Sequence, residues 1–126
     1  INVGSGGYSA GYNETPEVTS GALGSGGTYT TTIDDIGLFL RRTTTTNTTV
    51  SLPQLTTVPV GATTLIHNDG NGGTMTISCP TASNLQWIEG SGSASTGNRT
   101  LAYNGICTVR KKTSGGTWQI WGNGLS

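Results

Sequence analysis

Residues 64–79 read TLIHNDGNGGTMTISC and hold the chain's single histidine, His67, close to Asp69 and three glycines. Zinc would need more: closed zinc sites take four protein ligands and catalytic ones three, and one His with one Asp falls short. For calcium, Asp69-Gly-Asn-Gly faintly follows an EF-hand loop, but Pro80 stands where the bidentate Glu belongs and no flanking helices are in view. A catalytic triad would need a serine paired with His67 and a buried acid, and the serines sit in turn-like stretches. Asn68 to Gly73 are all residues that tolerate turn conformations. The segment is therefore expected to be a hairpin loop between two strands, with His67 a strand-end residue bonding a neighbour.

Other chemistry-bearing residues are sparse. Cys79 and Cys107 match neither a CxxC redox motif nor a zinc ribbon. Each lies in an alternating apolar run, which suits small buried side chains; a disulfide between strands is the alternative, and a reactive thiol has no basic cluster to activate it. Glu14, Glu17 and Glu89 are too scattered to suggest a glycosidase pair. Arg110-Lys111-Lys112 reads as a solvated strand end. Asn13, Asn47 and Asn98 fit the glycosylation sequon, a match that arises easily in a threonine-rich chain.

The tryptophans carry more. In TWQIWG, Trp118 and Ile120 share one face, so Trp118 should pack inward and Trp121 outward, toward an interface or a glycan. Trp87 and the flexible loop 90–98, GSGSASTGN, are the other candidate contacts, through Ser93 and Asn98 in particular. No catalytic residue, metal site or cofactor is expected.

Positioning these residues falls to short strands. TTVSLP places Val50 and Leu52 on one face and Thr49 and Ser51 on the other; TMTISC alternates Met75, Ile77 and Cys79 with Thr74, Thr76 and Ser78. TYTTTI, Ile36 to Arg42, Thr63 to Asn68, LQWIEG and TWQIWG are further strands, with Gly61-Ala62 as a bend. Asn104-Gly105 in TLAYNGICTVRKK is a strong two-residue hairpin signal. No segment shows a useful helical period. Strands of this length with turn signals every ~8–12 residues predict an all-β domain over residues 28–126, a sandwich or barrel. Residues 1–27, rich in glycine and serine without a period, read as an extended N-terminal arm or linker.

Composition narrows the partners. Six basic and six acidic residues leave the chain formally neutral, and charged residues are only 10% of it. Nothing here attracts nucleic acid or an anionic membrane. No run reaches the ~20 apolar residues of a membrane span, and the opening INVGSGGYSAGYN has no signal-peptide plan and no Met, as in a processed product. A surface of Thr, Ser, Asn and Gly does not repel a second copy of itself, which favours assemblies.

Taken in order, DDIGLFLRRTTTTNTTVSLP, VGATTLIHNDGNGGTMTI and NRTLAYNGICTVRKKTSGGTWQIWG resemble a module recurring in tailed-bacteriophage virion proteins, over roughly residues 28–124. The resemblance implies an antiparallel jelly-roll-like β-sandwich, assembled as a homotrimer and used on tail fibres, spikes or the capsid surface. It brings no catalytic residues, and His67 and the two cysteines depart from it. Two roles follow as expectations: a tail-fibre or spike module binding a host surface glycan, or a capsid decoration (cement or head-fibre) protein contacting other virion proteins. A lectin-like carbohydrate-binding module is a third.

Overall fold

The computed structural model describes residues 16–53, 58–81, 84–89 and 95–126. Its first half is a coil. Strands β1 (Glu17–Val18), β3 (Phe39–Arg42) and β5 (Thr63–Asn68) lie side by side and parallel, with Phe39 opposite Leu65 and Leu40 opposite Ile66. The strands between them in the chain, β2 (Gly27–Thr30), β4 (Thr48–Ser51) and β6 (Met75–Ser78), form a second parallel set with Val50 opposite Ile77. Successive strands thus alternate between two sheets, and the chain completes three turns of a short parallel solenoid, each turn stacking on the next.

Period-two alternation explains why the turns stack. Leu40 and Ile66 point inward from the first sheet and Val50 and Ile77 from the second; all four are fully buried in one continuous core. Each such side chain contributes about 1.5–3 kcal/mol by leaving water. Outward from the second sheet, in one register row, stand Thr28, Thr49, Thr76 and Thr100. A β-branched hydroxyl suits the solvated side of the pleat.

The remaining strands close the coil. The 13-residue β9 (Arg99–Lys111) runs antiparallel to β6 at Arg99–Thr100 and then to β5 from Ile106 to Arg110, so it passes from the second sheet to the first. Strand β10 (Trp118–Leu125) returns antiparallel to β9, β7 (Leu85–Trp87) pairs parallel with β10, and β8 (Ser95–Thr96) pairs antiparallel with β7. The first sheet has the order β1-β3-β5-β9-β10-β7-β8, and β9 joins both sheets into one ten-stranded system.

The all-β class agrees with the sequence, whereas the antiparallel jelly-roll arrangement is corrected. Five of the nine pairings among the described residues are parallel, and a jelly roll is built of antiparallel pairs. Alternation is the same for both directions, and here the glycine-bearing turns carry the chain across to the other sheet instead of back along its neighbour. For this reason HNDGNGG is a corner between sheets and not a hairpin loop: β5 and β6 do not pair with each other. Asn104-Gly105 is likewise no hairpin. Asn104 takes φ 65 while Gly105 stays out of the left-handed region, so the strand bends where it changes sheets without reversing, since a type I′ turn needs both residues at positive φ.

The segment expected as an arm belongs partly to the coil. From Pro16 onward it supplies β1, the four-residue helix α1 (Ala22–Ser25) and the start of β2, and Leu23 of α1 is fully buried. Residues 1–15 lie outside the described residues. The opposite corner, between β2 and β3, is built by a 3-10 turn (Ile33–Asp35). Asp35 Oδ2 accepts the Thr32 N–H at 2.9 Å, and its Oδ1 accepts the Tyr29 hydroxyl at 2.8 Å. Burial first, then the adjoining carboxylate, pushes the Tyr29 phenol up to about 12.

Both cysteines are buried and free, so the side-chain reading holds and no disulfide links them. Burial pushes each thiol up to about 12, which leaves almost no thiolate at neutral pH. Native protein at pH 7 is therefore expected to take up no maleimide or iodoacetamide, with two equivalents reacting after unfolding in urea. Rapid labelling of the folded chain would contradict the buried placement.

Candidate binding surfaces

The corner HNDGNGG turns out to be a structural hub organised by a residue that sequence reading passed over. Arg42 points into the coil and is fully buried. Its Nε donates to Thr48 Oγ1 at 3.2 Å; Nη1 donates to Asn68 Oδ1 at 2.7 Å and Gly70 O at 3.0 Å; Nη2 donates to the carbonyls of Thr46 and Gly72, both at 2.7 Å. These five bonds match the five N–H donors of a guanidinium. Thr46 belongs to the β3–β4 corner and Gly70 and Gly72 to the β5–β6 corner, so one side chain ties two turns together. Burial lowers the Arg42 pKa, yet a guanidinium stays charged at neutral pH. Asn68, buried beneath it, donates to Leu101 O at 2.8 Å and carries the link on to β9.

Arg41 points the other way. Its Nη2 lies 2.9 Å from Glu17 Oε1 and its Nη1 2.8 Å from Asp69 Oδ2 on the outer face of the first sheet. Asp69 is therefore a partner of Arg41, and the hydrogen bond to Arg41 is the leading cause that lowers the Glu17 pKa. His67, half-buried beside them, meets the Phe39 ring edge-on with centroids 6.0 Å apart. No group of three His, Cys, Asp or Glu among the described residues could hold a metal ion, and no helix among them is long and apolar enough to cross a membrane.

The sequence candidates divide between two places. Trp87 lies opposite Ile120 in register, on the inner side of the first sheet, where it is half-buried at the margin of the core. Arg99 places its guanidinium carbon 4.9 Å from the Trp87 ring centroid, within the range of a cation–π contact. The same guanidinium donates to the carbonyls of Thr96 and Gly97 at 3.2 and 3.3 Å. Asn98, between Gly97 and Arg99 in the chain, is exposed, and Ser95 Oγ donates to Glu89 Oε1 at 3.4 Å. The β7–β8 pairing thus sets an aromatic ring under a cation, with the Ser95–Glu89 bond close by. Ser93 lies outside the described residues.

Trp121 belongs elsewhere. Trp118 packs inward, 2% exposed, with its indole N–H on Pro53 O at 2.8 Å, while Trp121 is 36% exposed on the outer face. It occupies a register row that runs Glu17, Phe39, Leu65, Thr108, Trp121 across β1, β3, β5, β9 and β10. Ile106 faces His67 in the next row and Arg110 pairs with Gln119 in the row on the other side. The structure brings Trp87 and Asn98 to one corner and leaves Trp121 on the opposite side of the same sheet.

The basic run is split in the same way. Arg110 donates to Gln119 at 3.3 Å and Lys112 to Gln86 at 3.0 Å, whereas Lys111 turns inward, fully buried, with Nζ on Val58 O at 2.7 Å. The expectation of a solvated strand end is therefore corrected at Lys111, because strand alternation sends the middle residue of any such triplet to the opposite face. Sequence reading also missed Phe39, Leu65 and Ile106. The signal was available: Phe39-Leu40, Leu65-Ile66 and Ile106-Cys107 are adjacent apolar pairs, which make a strand apolar on both sides. Comparison with family models, with curated proteins and with solved structures returns no match.

Proposed function

We propose that this chain is a virion protein of a tailed bacteriophage, a homotrimeric module of a tail fibre or spike that works by binding a host-surface glycan and not by turnover. The observation that carries the reading is the corner at β7 and β8, where the Arg99 guanidinium lies 4.9 Å from the Trp87 ring centroid and Asn98, next to Arg99 in the chain, is exposed. A half-buried indole covered by a guanidinium sets an apolar ring beside hydrogen-bonding groups, chemistry suited to a sugar ring. The rigid coil beneath it supports the reading further, since precise contacts are best held by packed strands.

Purified protein is expected to bind host cells saturably, and Trp87→Ala to weaken that binding on the order of tenfold to a hundredfold with the fold intact by circular dichroism. Saturable binding to bare capsids with none to cells would replace this reading with the capsid decoration role. Undiminished cell binding by Trp87→Ala would remove the corner as the contact.

A further inference from the structure

We infer that the outer face of the first sheet is the surface on which copies of this chain meet one another, the β1–β3–β5 half of one copy against the β9–β10 half of the next. The inference rests on the oligomeric part of the proposed function and names the surface responsible. Leu65, Ile106 and Trp121 are 37%, 43% and 36% exposed, and single apolar residues at such exposure need no explanation. These three are not single: Leu65 and Trp121 flank Thr108 in one row, Phe39 extends that row, and Ile106 adjoins it beside His67. A contiguous apolar stripe on an otherwise polar, charge-poor chain marks an interaction surface.

Charge selects the partner. On the β1–β3–β5 half stand Glu17 and Asp69 around Arg41, one more acid than base. On the β9 half stand Arg110 and Lys112, held by the neutral amides of Gln119 and Gln86. The acidic half complements the basic half of the same face, which is the signature of a head-to-tail contact between identical chains; such a contact closes into a ring when its rotation permits. The chain as a whole is formally neutral, with six bases against six acids, so no net repulsion opposes it.

Sedimentation of the full chain at micromolar concentration tests the inference. The expected result is a closed oligomer, the trimer, with Trp121→Glu and Leu65→Glu each weakening association on the order of a hundredfold or more by setting a charge in the apolar row. Arg110→Glu should weaken it too, by turning the basic half against Glu17 and Asp69. Thr100→Glu, on the outer face of the other sheet, should leave the oligomer unchanged, and unaltered circular dichroism would show that each variant folds. A wild-type monomer, or an oligomer that survives both Trp121→Glu and Leu65→Glu, would overturn the inference. A monomer that still binds host cells removes this surface and leaves the glycan reading standing, whereas an oligomer dissolved by Trp121→Glu that binds no cells does the reverse.

Discussion

Replacing Arg42 by methionine is expected to destabilise the protein by about 3–5 kcal/mol, the scale of several acceptors losing their donor at once. The loss follows from what the guanidinium leaves behind. Its five acceptors include the backbone carbonyls of Thr46, Gly70 and Gly72, which no compensating side-chain change can delete, and each buried orphan costs about 1–3 kcal/mol unless water reaches it. Arg42→Lys should recover only part of the loss, because an ammonium offers three donors from a single atom and cannot span two corners. Urea unfolding at constant m-value gives the number directly, and Tm should fall by on the order of 10–20 °C. A change below about 1 kcal/mol would show that the hub is dispensable, since that is the scale of an ordinary point substitution.

The second large effect is expected at Gly70, inside the histidine segment. Gly70 does not need the left-handed region; it needs the absence of a side chain. A Cβ there would run into the Thr44 carbonyl oxygen and stand 2.8 Å from Arg42 Nη1, because the β5–β6 corner sits directly on the β3–β4 corner. Gly70→Ala should cost about 2–3 kcal/mol by overpacking. Gly115→Ala, where a Cβ meets only Thr113 Oγ1 at 3.8 Å, should stay within about 0.5 kcal/mol of wild type. Since Arg42 Nη1 bonds the Gly70 carbonyl and would also meet its Cβ, their double variant should fall well short of the sum of the two losses. Additive losses would mean that the corner and the guanidinium act separately.

The strands were readable because alternation is a local property. Val50, Leu52, Met75, Ile77 and Cys79 all point inward as their spacing predicts, and Trp118 and Trp121 divide between core and surface as expected. Strand direction and partnership were not readable. They depend on whether Asn68 to Gly73 sends the chain back along β5 or across to the other sheet, and turn-forming residues permit both. The deciding piece is Arg42, which in sequence is only the end of a strand and shows its role when Gly70 and Gly72 are brought to it. The coil's repeat was hidden for a related reason: Gly27, Thr48 and Met75 stand at equivalent places but are separated by 21 and then 27 residues, which defeats a search at fixed period.

The candidate contacts were half legible. Trp87 and Asn98 could be named from residue type and a flexible neighbourhood, but the nearness of Arg99 to the indole requires the β7–β8 pairing, and nothing in the chain's spacing announces it. The outer row was missed because its successive members, Glu17, Phe39, Leu65, Thr108 and Trp121, stand 22, 26, 43 and 13 residues apart in the chain and become neighbours only through the parallel and antiparallel pairing of five strands.

Under tension the three turns of the coil would not come away alike. The first is fastened to the second by a two-residue ladder at β1, with Arg41 reaching Glu17 at the surface, and by the buried Leu23 and a four-residue ladder at β2. The second and third are riveted internally by a guanidinium, and the third is clasped on both sheets by the long strand β9. Pulled from its amino-terminal side, the molecule would part first at the two-residue ladder of β1 on β3, and resist from α1 onward, where Leu23 is locked in the core and its carbonyl takes the Thr43 N–H.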